Sequence, residues 1–143
     1  MGLPMPFWLF KSEPDCYSFA DLQRDGSTIW DGVTNTLARK HLRQVQRGDK
    51  ILFYHTGDER AIVGLMEAVG EPHPDPTQED PKSVAVNVKP VRKLKQSITL
   101  ARIKGDKQLA NWDLVRNSRL SVMPVSPAQW RRIDELTKAA GPG

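Results

Sequence analysis

The 143-residue sequence has one cysteine, three histidines and no long apolar run. A lone thiol, Cys16, excludes an intramolecular disulfide and a thiolate-rich metal site, and is expected to be a small buried hydrophobe. His41, His55 and His73 stand in separate segments without ligand spacing, so neither a metal nor another cofactor is expected. The uninterrupted apolar runs are a few residues long, far short of a bilayer span, and no membrane partner is expected. The apolar first ten residues carry two prolines but no basic start and no small-residue cleavage site. A cytoplasmic location follows as the expectation. No Gly-rich loop follows a strand pattern, which argues against dinucleotide and P-loop folds. Repeats and linkers are also missing. One monomeric domain over 1–143 is therefore expected, with loose ends at 1–5 and 139–143.

What is present describes an ordinary globular protein, with 38% hydrophobic and 27% charged residues. The net charge of +4 favours anionic partners. Arg39, Lys40, Arg43 and Arg47 form one basic cluster, and Lys89, Arg92, Lys93 and Lys95 another. Such runs are usually solvated faces, although they also suit phosphate contact.

The apolar run 7–10 predicts a buried strand, closed by a turn at Pro14. Ser18 and Asp21 form a capping box for a short helix over 19–23, stopped near Gly26. A second helix starts at Asn35, with Leu37, Ala38, His41, Leu42 and Val45 on one face and Gly48 at its end. Strands over 50–55 and 61–69 flank a turn and pair antiparallel. Pro72, Pro74, Pro76 and Pro81 mark an irregular acidic loop. Alternation of Val84, Val86 and Val88 predicts a strand over 83–94, with a bulge or an edge at Pro90. Short helical turns fit 100–103 and 107–109, and a strand fits 120–125, interrupted by Pro124. Ser126, Pro127 and Gln129 start a last helix whose buried stripe is Trp130, Ile133 and Leu136. These elements predict an α+β fold, a curled and mostly antiparallel β-barrel with flanking α-helices.

The segment Trp30-Asp31-Gly32-Val33-Thr34-Asn35 is the strongest functional signal. An aromatic face stacks on a flat ring, while Asp31 and Asn35 offer acceptors and donors to its edge. It reads equally as a buried Trp, a glycine turn and a helix cap. Lys11-Ser12-Glu13 leaves the first strand as a donor, a hydroxyl and a carboxylate, suited either to a ligand or to a solvated turn. His55 closes an apolar strand, as an acid or base or as a structural histidine. Arg119-Leu120-Ser121 offers a guanidinium and a hydroxyl for a phosphate or ring carbonyl, or an ion pair to Asp31 or Glu13. Trp8 and Trp130 read as core, and Trp112 as partly exposed.

Taken together, FWLFKSEP (7–14), WDGVTN (30–35), LFYHTG (52–57), AIVGLMEAV (61–69), HPDPT (73–77) and RLSVMPVSPAQW (119–130) resemble the EVE domain family, a branch of the PUA-like superfamily related to YTH domains. The motifs keep the family's order and cover most of the chain. Thr34 replaces a common Arg, and Thr36-Leu37 a common Tyr-Gln. The resemblance implies a PUA-like fold and a pocket for a modified base of DNA or RNA.

On that basis Lys11, Ser12, Glu13, Trp30, Asp31, Asn35, His55, Arg119, Leu120 and Ser121 are the expected ligand-site residues. Arg39, Lys40 and Arg43 are the expected contacts to the nucleic-acid backbone. The expected function is a non-enzymatic reader of a modified base, since no nucleophile–base spacing, metal cluster or cofactor loop is present. The alternatives are an enzyme using His55 with Glu13 or Asp31 as acid and base, and a small-metabolite-binding domain.

Overall fold

A computed structural model describes residues 7–139. Among the described residues, six strands form one sheet: β1 (Phe7–Ser12), β2 (Thr28–Trp30), β3 (Lys50–His55), β4 (Ala61–Ala68), β5 (Val86–Thr99) and β6 (Val122–Pro124). Their order across the sheet is β2-β5-β4-β3-β1-β6. The pair β1 and β3 is parallel, from Phe7 opposite Lys50 to Ser12 opposite His55, and the other pairs are antiparallel. A parallel pair requires a crossover connection. Here the crossover carries α1 (Phe19–Asp25), β2 and α2 (Thr36–Leu42), so it also builds much of the candidate site.

The sheet curls into a half-barrel. Although β2 lies at one end of the strand order, its Trp30 ring is 5.3 Å from the Phe10 ring of β1 and 5.4 Å from Phe53 of β3. Phe10 and Phe53 are fully buried, and each contributes roughly 1.5–3 kcal/mol through burial. α1 closes over this core. Phe19 meets Phe53 edge-on at 5.3 Å and lies so close to Gly64 of β4 that a Cβ there would be 2.5 Å from its ring.

Local chemistry accounts for the helix ends. Ser18 and Asp21 exchange the two capping-box bonds of α1, and Gly26 stops it in the left-handed region at φ 79°. Ser126 and Gln129 do the same at the start of α5 (Pro127–Ala139), where Ile133 and Leu136 are buried and Trp130 stacks on Phe7 at 4.3 Å. Beyond β5, α3 (Leu100–Lys104) and α4 (Asp113–Arg116) are short. The bulge expected at Pro90 is present: Leu65 pairs with Arg92 while Met66 pairs with Pro90, leaving Val91 unmatched.

Several details differ from the sequence reading. α2 ends at Leu42 rather than near Gly48, because three-residue bonds from Gln44 to His41 and from Val45 to Leu42 turn the chain away. Leu37 is 41% exposed, since the buried face of this short helix is Ala38, Arg39 and Leu42. Cys16 is exposed, because it lies in the turn where its N–H donates to Glu13 O. Trp112 is buried, with its indole N–H donating to Pro124 O at 3.3 Å. Of the loose ends expected at 1–5 and 139–143, all but Ala139 lie outside the described residues, and Ala139 instead closes α5. Among the described residues, no helix is long and apolar enough to cross a membrane.

Candidate functional site

A cleft of about 510 Å³ opens where the C-terminal end of β1, strand β2 and the loop into α2 converge. This size falls within the range of small-ligand pockets, roughly 300–1,000 Å³. β1 contributes Lys11 and Ser12, with Glu13 following, and the turn before α1 contributes Tyr17. Thr28, Ile29 and Trp30 come from β2, and 31–35 form the adjoining wall. Arg119 and Ser121 close the remaining side, tied to β1 by the bond from Lys11 N–H to Ser121 O at 2.9 Å.

Each wall has a local cause. Lys11 is drawn across the cleft edge by its ammonium, which donates to Ser118 O at 3.0 Å and lies 5.7 Å from the Tyr54 ring centre. Burial pushes its pKa below the ordinary lysine value. Ser12 Oγ donates to Tyr17 O at 2.5 Å, which folds the turn back onto β1. Glu13 accepts from Thr56 Oγ1 at 3.1 Å and packs against Gly57, where a Cβ would lie 2.9 Å from the carboxylate. The Tyr17 hydroxyl donates to Asp25 at 2.9 Å.

The wall 31–35 is held from outside. Gly32 turns the chain at φ 73°, and its N–H donates to Asp75 Oδ2 at 2.7 Å. Asp75, only 2% exposed, also accepts from the Thr77 N–H and hydroxyl at 2.7 and 2.6 Å and from Gln78 Nε2 at 2.7 Å. Burial pushes this carboxyl up, but the bonds from Thr77, Gln78 and Gly32 outweigh it and hold the pKa well below the carboxylate range. Arg39 completes the brace. Its guanidinium donates to Val33 O at 2.8 Å, to Asp80 at 2.9 Å and to Gln78 Oε1 at 2.9 Å. Asp31 is left facing the cleft, with its pKa raised by partial burial and by the charge of Asp75. Asn35 caps α2 by accepting from Ala38 N–H at 2.9 Å.

Eight of the expected ligand-site residues therefore share one cleft: Lys11, Ser12, Glu13, Trp30, Asp31, Asn35, Arg119 and Ser121. Arg119 is exposed there and forms no ion pair among the described residues, so the expected pairing with Asp31 or Glu13 is not made. Trp30 is 9% exposed, and most of its indole is spent on Phe10 and Phe53. It forms a floor rather than a free-standing platform.

Two expected residues lie outside the cleft lining. His55 is buried, accepts from Phe19 N–H through Nε2 at 3.0 Å, and places Nδ1 2.7 Å from Glu59. Nε2 is thus the unprotonated nitrogen, and the ring tethers the start of α1. Leu120 is buried core, since its neighbours Arg119 and Ser121 take the outward positions.

The backbone-contact assignment also changes. Arg39 is buried in the brace because α2 turns it towards 78–80, and it is not available to a phosphate. Arg43 is held by Lys82 O, while Lys40 remains exposed. Sequence reasoning missed Tyr17, Thr28 and Ile29 as lining, and Asp75 as the residue that positions the wall. The carboxylate inside the unusual segment HPDPT was the available signal.

A family model described as EVE domain matches residues 6–136. Human thymocyte nuclear protein 1 is 34% identical over 157 residues, covering 86% of this chain and 70% of that protein. A Pseudomonas syringae protein of known structure is 39% identical with a TM-score of 0.86, covering 92% of this chain and 99% of that one. A structure of human THYN1 in complex with DNA containing 5-methylcytosine is 32% identical with a TM-score of 0.87, covering 92% of this chain and 97% of that one.

Proposed function

Because this chain belongs to the EVE domain family, we propose that it is a non-enzymatic reader module for a modified base in DNA, with 5-methylcytosine as the first candidate. The observation that carries the reading is the chemical make-up of the cleft. Acceptors (Glu13, Asp31), donors (Lys11, Arg119, and the Asn35 amide group left over from capping) and an apolar side (Ile29, Trp30, Val33) converge on a space of small-ligand size. A cytosine needs each of these. Its exocyclic amine donates and suits a carboxylate, while its ring nitrogen and carbonyl accept. The human relative solved with 5-methylcytosine DNA supports this choice of ligand.

A base reaches such a cleft only after leaving its stack, at a cost of a few kcal/mol. Stacking on Trp30 and Tyr17 with edge bonds to Asp31 or Glu13 offsets that cost. The methyl group discriminates by filling an apolar niche. One buried carbon contributes about 0.8 kcal/mol, or roughly fourfold in affinity. Asp31 gains in particular, since an amine donor at its carboxylate relieves both its partial burial and its repulsion by Asp75.

Titration of short duplexes that differ only in one cytosine methyl tests the reading. The methylated duplex is expected to bind several-fold tighter, and Trp30→Ala to abolish the difference. Equal affinity for modified and unmodified DNA, with no effect of Trp30→Ala, overturns it. Matched RNA and hydroxymethylcytosine or methyladenine arms rank the ligand, and recovery of unchanged nucleosides separates a reader from an enzyme.

A further inference from the structure

The positive charge of this protein is concentrated in one stretch. Residues 82–119 carry ten Lys and Arg against two Asp, a balance of +8, whereas the rest carries eleven against fifteen, a balance of −4. Pairing exposes the asymmetry further, because Asp106 within the stretch is taken by Arg132 of α5 at 2.8 Å. Lys89 reaches Glu67 at 3.7 Å. Arg92, Lys93, Lys95, Arg102 and Lys104 are exposed and form no ion pair among the described residues.

The stretch also passes the cleft wall and ends at the cleft. Val88 of β5 pairs with Thr28 in the cleft wall, Lys89 follows at once, and the chain returns to the cleft at Arg119. Against this, α2 leaves one exposed cation outside any ion pair among the described residues, Lys40, since Arg39 is buried in the brace and Arg43 is held by Lys82 O. On the reader assignment made above, the geometry points to β5 and α3 as the track for the phosphate backbone of the nucleic acid whose base enters the cleft. Charge complementarity selects the occupant. A run of unpaired cations, with Val91 its one exposed large apolar side chain, suits a regular polyanion, and the edge-reading groups beside it make that polyanion a nucleic acid rather than a lipid surface.

The test measures affinity for methylated and unmodified duplexes between about 50 and 200 mM salt. Neutralising Arg92→Gln, Lys93→Gln and Lys95→Gln together is expected to weaken both duplexes alike. The slope of log affinity against log salt should fall by about 0.9 for each phosphate contact removed. Lys40→Gln with Arg43→Gln should leave the slope unchanged. A slope insensitive to the β5 changes, or one lost with the α2 changes, overturns the assignment, as does equal dependence of phosphatidylserine-vesicle binding on the same three residues. Where the triple variant melts lower than the parent, Lys93→Gln and Lys95→Gln are compared singly. Loss of methyl discrimination with an intact, β5-dependent slope overturns the cleft reading and leaves the track standing.

Discussion

Replacing Asp75 with Asn removes a single charge with almost no change of shape, and it should disable a wall that Asp75 does not itself form. The carboxylate receives four donors: Gly32 N–H and Gln78 Nε2 on one oxygen, Thr77 N–H and hydroxyl on the other. An amide keeps one acceptor and turns the other into a donor, so two of the four lose their partner in either orientation. Gln78 cannot flip to compensate, because its own oxygen accepts from Arg39. The Thr77 hydroxyl can rotate away, leaving at least one stranded buried N–H at about 1–3 kcal/mol. The surviving bonds also weaken without the charge. A loss of about 3 kcal/mol follows, which in a chain of this size lowers Tm by roughly 10 °C. Because Gly32 is left on a neutral acceptor in one amide orientation and loses its partner in the other, the wall loosens and affinity for the methylated duplex should fall severalfold. The pH dependence has a definite sign. The folded pKa of Asp75 lies below its ordinary value of 3.8, so its stabilisation is fully present above about pH 4 and is lost as pH falls through the depressed value. The parent should therefore lose stability below pH 4 by a component missing from Asp75→Asn. Melting curves across pH and a titration with methylated duplex measure all three effects. A variant that melts within about 1 °C of the parent and binds equally well refutes the brace.

Asp31→Asn should behave oppositely in the two assays. Its folded pKa is raised by burial and by Asp75, so the ionised group opposes folding at neutral pH, and Tm should rise or hold while affinity falls roughly tenfold; a lower Tm with intact binding refutes its place in the cleft. His55→Ala should lower Tm by stranding the Phe19 N–H, at about 1–3 kcal/mol, yet keep the methylated-to-unmethylated ratio, as binding to both duplexes will report. Gly64→Ala should cost about 1–3 kcal/mol by driving a methyl into the Phe19 ring, and urea unfolding that shows no change in midpoint would mean α1 is free to shift.

Legibility followed the distance over which each interaction acts. The caps at Ser18, Asn35 and Ser126 bond across three residues, so sequence spacing announced them. The residues that share the cleft were legible for another reason: most leave the ends of strands, where polar groups interrupt apolar runs. Tyr17 escaped notice because it precedes a cap box and looks like part of that turn. Leu37 was misplaced because a seven-residue helix has only about two turns, too few to establish which face is apolar.

Sequence alone determined the family, most strands and helices, and the types of chemistry available to the site. The tertiary structure decided which groups are free to use that chemistry. Asp31 and Asp75 are both carboxylates in conspicuous segments, yet one faces the cleft while the other is locked 43 residues away from the Gly32 it holds. Arg39 and Lys40 are adjacent cations, and only the first turns inward to a buried brace. Periodicity and capping are properties of neighbours, whereas burial and pairing depend on segments that meet only when the sheet curls. That is why both basic clusters were legible in the sequence, while the fold decided which of them is left without partners.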